Sequence, residues 1–257
     1  MSKEKKIIIS IILIIMLLSV IAFCLWQMYF SKPPYTPEPT PSTSPVVQPP
    51  DNETDPYDGY INLPKDIDFI KLLKQNPEIY AWIRITDSVI DYPIVQSEID
   101  NAFYLDHDID KNYSMYGSIF TENRNTKTFE DRNTVIYGHT MKNNSMFSTL
   151  INYKDKVFFD THQEIYIYTP EKAFKYKIFA SYIADDSHVL VANDFSTDEG
   201  YQNFLDKIIP LKCENYDLET EVTTADRIIT LSTCYNRTAQ RFLVYAVLES
   251  VLGYNEP

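Results

Sequence analysis

The sequence predicts a mainly β fold, a barrel or a sandwich, and three observations point there. Seven short segments rich in β-branched and aromatic residues follow one another from residue 80 onward. Polar turns separate them, and beyond residue 60 only two stretches carry the 3.6-residue apolar period of a helix. The chain has 257 residues, 44% of them apolar and 23% charged, so roughly 200 residues are left for one core once the N-terminal segments are set aside.

Those N-terminal segments come first. Residues 7–30, IIISIILIIMLLSVIAFCLWQMYF, are apolar except for Ser10, Ser19 and Gln27. At about 1.5 Å per residue such a helix crosses a bilayer. Lys3, Lys5 and Lys6 precede it and only Lys32 closely follows, which keeps residues 1–6 cytoplasmic and places the C-terminal body outside the cell. A cleaved signal peptide is the rival reading, but the apolar run exceeds a signal core and no small-x-small site follows it. A lipoprotein site at Cys24 would want a small residue where Phe23 stands. Residues 31–59 hold nine of the fifteen prolines and form a spacer of extended, polyproline-like chain. The folded body is expected over residues 60–257.

Within that body, PKDIDFIKLLKQNP (64–77) sets Phe69, Ile70, Leu72 and Leu73 on one side of a helix that Asn76-Pro77 stops. The strands then read as YAWIRI (80–85), DYPIVQ (91–96), NTVIYG (133–138), EIYIYT (164–169), FKYKIFASYI (174–183), DRIITLST (226–233) and RFLVYAVLE (241–249). Between the fifth and sixth, STDEGYQNFLDKIIP (196–210) has a Ser196/Glu199 capping box and an apolar stripe of Tyr201, Phe204, Leu205, Ile208 and Ile209. A helix is therefore inserted in that long connection.

Composition excludes several functions. The net charge is −13, and residues 1–6 carry +2 of their own, so nucleic acid is not an expected partner. Five glycines make no GxGxxG or GxxxxGK[ST], which removes phosphate-cradling loops. His107, His139, His162 and His188 are scattered without metal-ligand spacing, so no metal is expected. The acidic DHDID (106–110) reads as a solvated loop, with calcium as the alternative.

Cysteine chemistry is more informative. Cys24 lies in the apolar span, leaving Cys213 and Cys234 in a compartment that permits a disulfide. Cys234 also ends an apolar strand, where a nucleophile can be rigidly displayed, and both readings stand on the residues alone. A thiolate needs a base or cation beside it and a donor for the oxyanion. His139 follows the NTVIYG strand, with Gly138 letting the backbone turn sharply and expose the ring; a structural histidine is the alternative. Arg241 opens the next strand and would return beside Cys234 in a hairpin, with Arg237 as its rival.

TLSTC (230–234) with an arginine opening the next strand, NTVIYGH upstream, and NPEIYAWIRI, DYPIVQ, NAFYLDHD and GSIF before that resemble a class B sortase. Sortases of this class are membrane-anchored cysteine transpeptidases of Gram-positive bacteria, and the similarity covers about residues 64–250. The resemblance implies an eight-stranded sortase-type β-barrel with an N-terminal helical extension and a helix before the cysteine-bearing strand. It implies Cys234 as nucleophile, His139 as general acid/base and Arg241 as oxyanion stabiliser, with Ser232 and Asn101 as substrate contacts and no cofactor. Some relatives carry a carboxylate just after the cysteine; Tyr235 and Asn236 stand there instead. The implied partners are secreted surface proteins with an NPxTx-like C-terminal sorting motif and an amino group of a lipid-linked peptidoglycan precursor or cross-bridge. A pilin-polymerising sortase, a membrane-tethered cysteine protease and a non-catalytic domain with a Cys213–Cys234 disulfide are the other readings.

Overall fold

Among the described residues, β-branched and aromatic side chains build ten strands, eight of which close into a ring. The computed structural model describes residues 60–209, 215–216, 219–235 and 239–255. In chain order the strands are β1 (Tyr60–Ile61), β2 (Ile79–Ile85), β3 (Asp91–Val95), β4 (Ile119–Thr121), β5 (Asn133–Tyr137), β6 (Glu164–Tyr168), β7 (Lys172–Asp185), β8 (Asn215–Tyr216), β9 (Ile228–Cys234) and β10 (Gln240–Tyr254). The hydrogen-bonded order is β10-β9-β5-β4-β3-β2-β6-β7, and β7 pairs back onto β10 to close the barrel. Closure leaves no open edge along the ring. β1 adds in parallel at the far end of β10, and β8 adds to β7.

The seven strands expected from the sequence are all present; β1, β4 and β8 were not foreseen. β4 spans Ile119–Thr121 and is too short to show an alternation, yet it bridges β3 and β5 and so is needed for closure. β5 and β9 pair in parallel, with Tyr137 opposite Ser232. Parallel pairing puts the C-terminal ends of both strands at the same rim, and that rim holds the site described below.

Alternation along the strands separates the barrel interior from a second apolar cluster on its outer face. Ile229, Leu231, Phe242 and Val244 point into the barrel with Ile83, Ile94, Ile136 and Phe174. Ile228, Leu243 and Tyr245 take the other face and meet the helix α4 (Asp198–Ile208) through Tyr201, Phe204, Leu205 and Ile208. The apolar stripe of that helix is buried as expected. Its cap is not the expected one: Thr197 is the N-cap, its hydroxyl accepting from the Gly200 N–H at 3.0 Å, while Ser196 donates to Asp194. Starting one residue later lets the Asp194 carboxylate take the Ser196 and Thr197 hydroxyls together.

The first helix, α1, is also shorter than its pattern. It spans Phe69–Gln75, capped by Asp68, whose carboxylate accepts from the Lys71 N–H. Phe69 is buried and Leu72 packs beside it, whereas Ile70 is 71% and Leu73 39% exposed. A helix of two turns presents only one narrow stripe to the barrel, so half of the predicted apolar side has nothing to cover it. Asn76 does more than end this helix: its amide donates to the Tyr104 hydroxyl (2.7 Å) and the Ile109 carbonyl (3.0 Å), tying α1 to the 103–109 loop. Two more short helices, α2 (Lys156–Thr161) and α3 (Val189–Ala192), lie in connections.

The apolar segment 7–30, the proline-rich segment 31–59, Cys213 and Arg237 lie outside the described residues. Among the described residues no helix is long and apolar enough to cross a membrane.

Candidate active site

Cys234 is the last residue of β9, and its antiparallel partner on β10 is Arg241. Residues directly opposite across two strands have side chains within reach of each other. The Arg241 guanidinium accordingly donates from Nη1 to the Cys234 Sγ at 3.5 Å. His139 arrives from the other flank. Because Tyr137 sits opposite Ser232, continuing two residues along both parallel strands sets His139 level with Cys234. The backbone holds this level, the Gly138 N–H donating to the Ser232 carbonyl at 3.1 Å.

Gly138 earns its place differently from the expectation. It is not in the left-handed region; a Cβ there would stand 2.6 Å from Ile119 Cδ1 and 2.7 Å from Phe147 Cγ. Crowding from the barrel interior, rather than a sharp turn, calls for glycine.

The His139 ring is half-buried, and its Nε2 donates to the Leu105 carbonyl at 2.6 Å. A carbonyl oxygen can only accept, so this contact places a proton on Nε2 and leaves Nδ1 as the nitrogen that can exchange one. A hydrogen bond to Cys234 raises the His139 pKa above its ordinary value, overcoming burial, which lowers it, with the Leu105 carbonyl adding to the rise. The same bond lowers the Cys234 pKa against the opposing effect of burial, and the charge of Arg241 lowers it further. Both shifts favour a thiolate beside an imidazolium. The thiol is free.

The three residues open on a cleft of about 280 Å³ on the outer face of β4, β5, β9 and β10. One wall is the segment Asn101–Leu105, the other Asp186–Val189. Asn101 lines this cleft, but its side-chain oxygen already accepts from the Asn123 N–H at 2.8 Å and joins the wall to the loop after β4. Ser232 is 4% exposed, beneath the floor between Tyr137 and Leu243, and is not part of the cleft lining.

Other residues of the site were not foreseen. Glu122 is 9% exposed, and its carboxylate accepts from His188 Nε2 at 2.6 Å and pairs with Arg124 Nε at 3.4 Å. This contact fastens the Asp186–Val189 wall to the end of β4. The Tyr137 hydroxyl stands beside it, held protonated by burial and then by the Glu122 charge. No sequence signal marks these residues: they come from three separate segments and share no spacing. In the DHDID loop Asp108 accepts from the Asp110 and Asn112 N–H groups at 2.9 Å each, and Asp110 accepts from the Gln75 amide at 2.7 Å. Among the described residues no three His, Cys, Asp or Glu side chains gather as metal ligands.

Comparison with known proteins follows the same geometry. Residues 83–249 match the Sortase domain family. Sortase B of Listeria monocytogenes serovar 1/2a is 38% identical over 163 residues, covering 63% of this chain and 65% of its own length. This chain thus spans just under two thirds of that relative. Sortase B of Staphylococcus aureus (strain NCTC 8325 / PS 47) is 33% identical over 186 residues, 71% of this chain and 75% of its own. Among solved structures, a Staphylococcus aureus sortase B-substrate complex aligns with a TM-score of 0.65 at 32% identity, covering 71% of this chain and 84% of that one. Sortase B from B. anthracis in complex with AAEK1 aligns at 0.64 with 37% identity, over the same shares. These structures share the closed, mainly β barrel, and the match runs from β2 to β10 across both flanks of the cleft. On that match the chain belongs to the sortase family.

Proposed function

We propose that the protein is a cysteine transpeptidase of the sortase B kind, with Cys234 as nucleophile, His139 as general acid/base and Arg241 as oxyanion stabiliser. The observation that carries this reading is the convergence on Cys234 of Arg241, its partner across β9 and β10 with Nη1 3.5 Å from Sγ, and of His139 from β5, all three lining one cleft. The Cys234 thiolate attacks the carbonyl carbon of the threonine in a sorting motif. Negative charge then moves from sulfur to the carbonyl oxygen, close to a guanidinium that stays charged at any working pH. His139 gives its proton to the departing amine, and a thioester remains. An acceptor amine attacks the thioester, His139 takes a proton back, and an amide is formed.

On this reading the substrates are secreted surface proteins with an NPxTx-like C-terminal motif, and the acceptor is an amine of peptidoglycan or its lipid-linked precursor. Residues 7–30 anchor the chain in the membrane with residues 1–6 inside the cell. Residues 31–59 hold the body at 60–257 away from the bilayer, where a secreted protein and a wall precursor meet. The chemistry needs no cofactor. Of the two substrate contacts that the resemblance implies, Asn101 lies in the wall of the cleft and Ser232 beneath its floor.

The test is mass spectrometry of products from residues 60–257, a panel of sorting-motif peptides, and a short glycine or diamine acceptor. Cleavage after threonine with the acceptor joined to the new C-terminus is expected, absent in Cys234→Ala and reduced about 10²- to 10³-fold in Arg241→Ala. Free acid as the sole product at saturating acceptor would instead identify a protease.

A further inference from the structure

We infer that Thr140 is a positioning residue for the Cys234–His139 pair, its hydroxyl latching the end of β9 to the chain that carries His139. The inference rests on the reading of Cys234 and His139 as the reacting pair.

The backbone pairing of β5 and β9 ends just short of both residues. Its last register pair is Tyr137 with Ser232, followed by the bond from the Gly138 N–H to the Ser232 carbonyl. Past that point two threonine hydroxyls continue the connection. Thr140 Oγ1 donates to the Cys234 carbonyl at 2.7 Å, and Thr233 Oγ1 donates to the Gly138 carbonyl at 2.7 Å. The two hydroxyl oxygens lie 2.8 Å apart. His139 therefore stands between Gly138, which is tied to Ser232 and Thr233, and Thr140, which is tied to Thr233 and Cys234. With one proton per hydroxyl, the three contacts have two protons between them: both carbonyls are satisfied when each hydroxyl donates outward, and either hydroxyl can rotate to donate to the other instead.

The bond has a geometric consequence. The Cys234 carbonyl fixes the peptide plane that follows the Cα, and with it the direction of the Cα–Cβ bond that carries Sγ. The stretch directly before Thr140 fixes the His139 ring, which Leu105 holds from its other side. Losing the Thr140 hydroxyl releases the cysteine end of this frame while the barrel pairing beneath stays intact. Thr140 is exposed, so water can replace its bond, and little stability depends on it. Reaction rates are less forgiving, since a small misplacement of a reacting group lowers turnover far more than it lowers stability.

The experiment compares Thr140→Val, which keeps the β-branched shape and removes the hydroxyl, with Thr140→Ser, which keeps the hydroxyl. Two readouts are taken on residues 60–257: steady-state transpeptidation, and the rate of Cys234 alkylation by iodoacetamide against pH. Expected for Val is a kcat about tenfold lower at unchanged KM, an alkylation midpoint moved upward, and an unchanged Tm, with Ser restoring both readouts. A Val variant whose kcat lies within twofold of the parent and whose alkylation profile is the same overturns the inference. So does equal loss in Val and Ser, or loss that follows a lower Tm. If the parent transfers no peptide at all, the proposed function fails, and the alkylation profile still decides the role of Thr140.

Discussion

Cys234 and His139 shift each other's titration in opposite directions, and the two shifts have a common cause. Their hydrogen bond is strongest when sulfur is negative and the ring positive, so the thiol loses its proton more readily and the imidazole keeps its proton longer. As pH rises, thiolate appears below the ordinary thiol range, while imidazolium persists above the ordinary imidazole range. The acid limb of the rate profile thus moves down and the alkaline limb moves up, widening the active window. His139→Ala should raise the midpoint of Cys234 alkylation more than Arg241→Ala does, because the histidine bond is the largest lowering influence and the arginine charge a smaller one. Alkylation rates measured from acid to alkaline pH check this; a larger rise in the arginine variant would reverse the ranking. At this scale the sequence motif pointed to the cysteine, the histidine and the arginine. It could not show that Ser232 is buried, that Asn101 is occupied by Asn123, or that a main-chain oxygen of Leu105 orients the ring.

The helix α4 was the most legible element, since Tyr201, Phe204, Leu205 and Ile208 recur at the period that puts them on one face. Phe204 is 3% exposed and meets Phe195 edge-on at 4.9 Å and Tyr245 at 5.9 Å between ring centres. Replacing it by alanine removes those contacts and leaves a cavity, and about 3–5 kcal/mol of unfolding free energy should be lost. Thr197→Ala removes the capping bond and an exposed bond to Asp194 and should cost about 1 kcal/mol. Urea unfolding of both variants tests the ranking; similar losses would mean that the helix is held by its cap rather than by its face. The cap itself was misread by one residue because Ser196, Thr197 and Asp194 all offer local side-chain bonds, and only the fold shows which is used. α1 was overestimated for a related reason: an apolar pattern records which residues could be covered, not whether a neighbour covers them.

For the whole molecule, the pairing of β7 with β10 turns a twisted sheet into a closed ring. Besides that closing pair, the joints of β2 with β6 and of β5 with β9 bring together strands that are not consecutive, so the ring forms only when distant segments meet. Folding dominated by such pairings is slow and cooperative. Residues 60–257 produced without residues 1–59 should therefore unfold in a single transition seen alike by circular dichroism and tyrosine fluorescence. They should stay in the soluble fraction, whereas the proposed anchor should send the full chain to the membrane fraction. Two separated transitions would show that the barrel is not one cooperative unit, and a soluble full chain would remove the anchor at residues 7–30.

Strand and helix periods, the apolar and proline-rich N-terminal segments, and the pairing of a cysteine with an arginine across one hairpin could all be read from the chain, because each is a relation between near neighbours. The parallel joint that sets His139 level with Cys234, the Glu122–His188 contact that fastens one wall of the cleft, and the meeting of the Thr140 and Thr233 hydroxyls were settled only by closing the barrel. The physical reason is the same in each case. Local period is written into consecutive residues by the geometry of one strand or one helix, but the meeting of residues from remote segments follows from which strands share a ladder and in what register, and no short stretch of sequence carries that information.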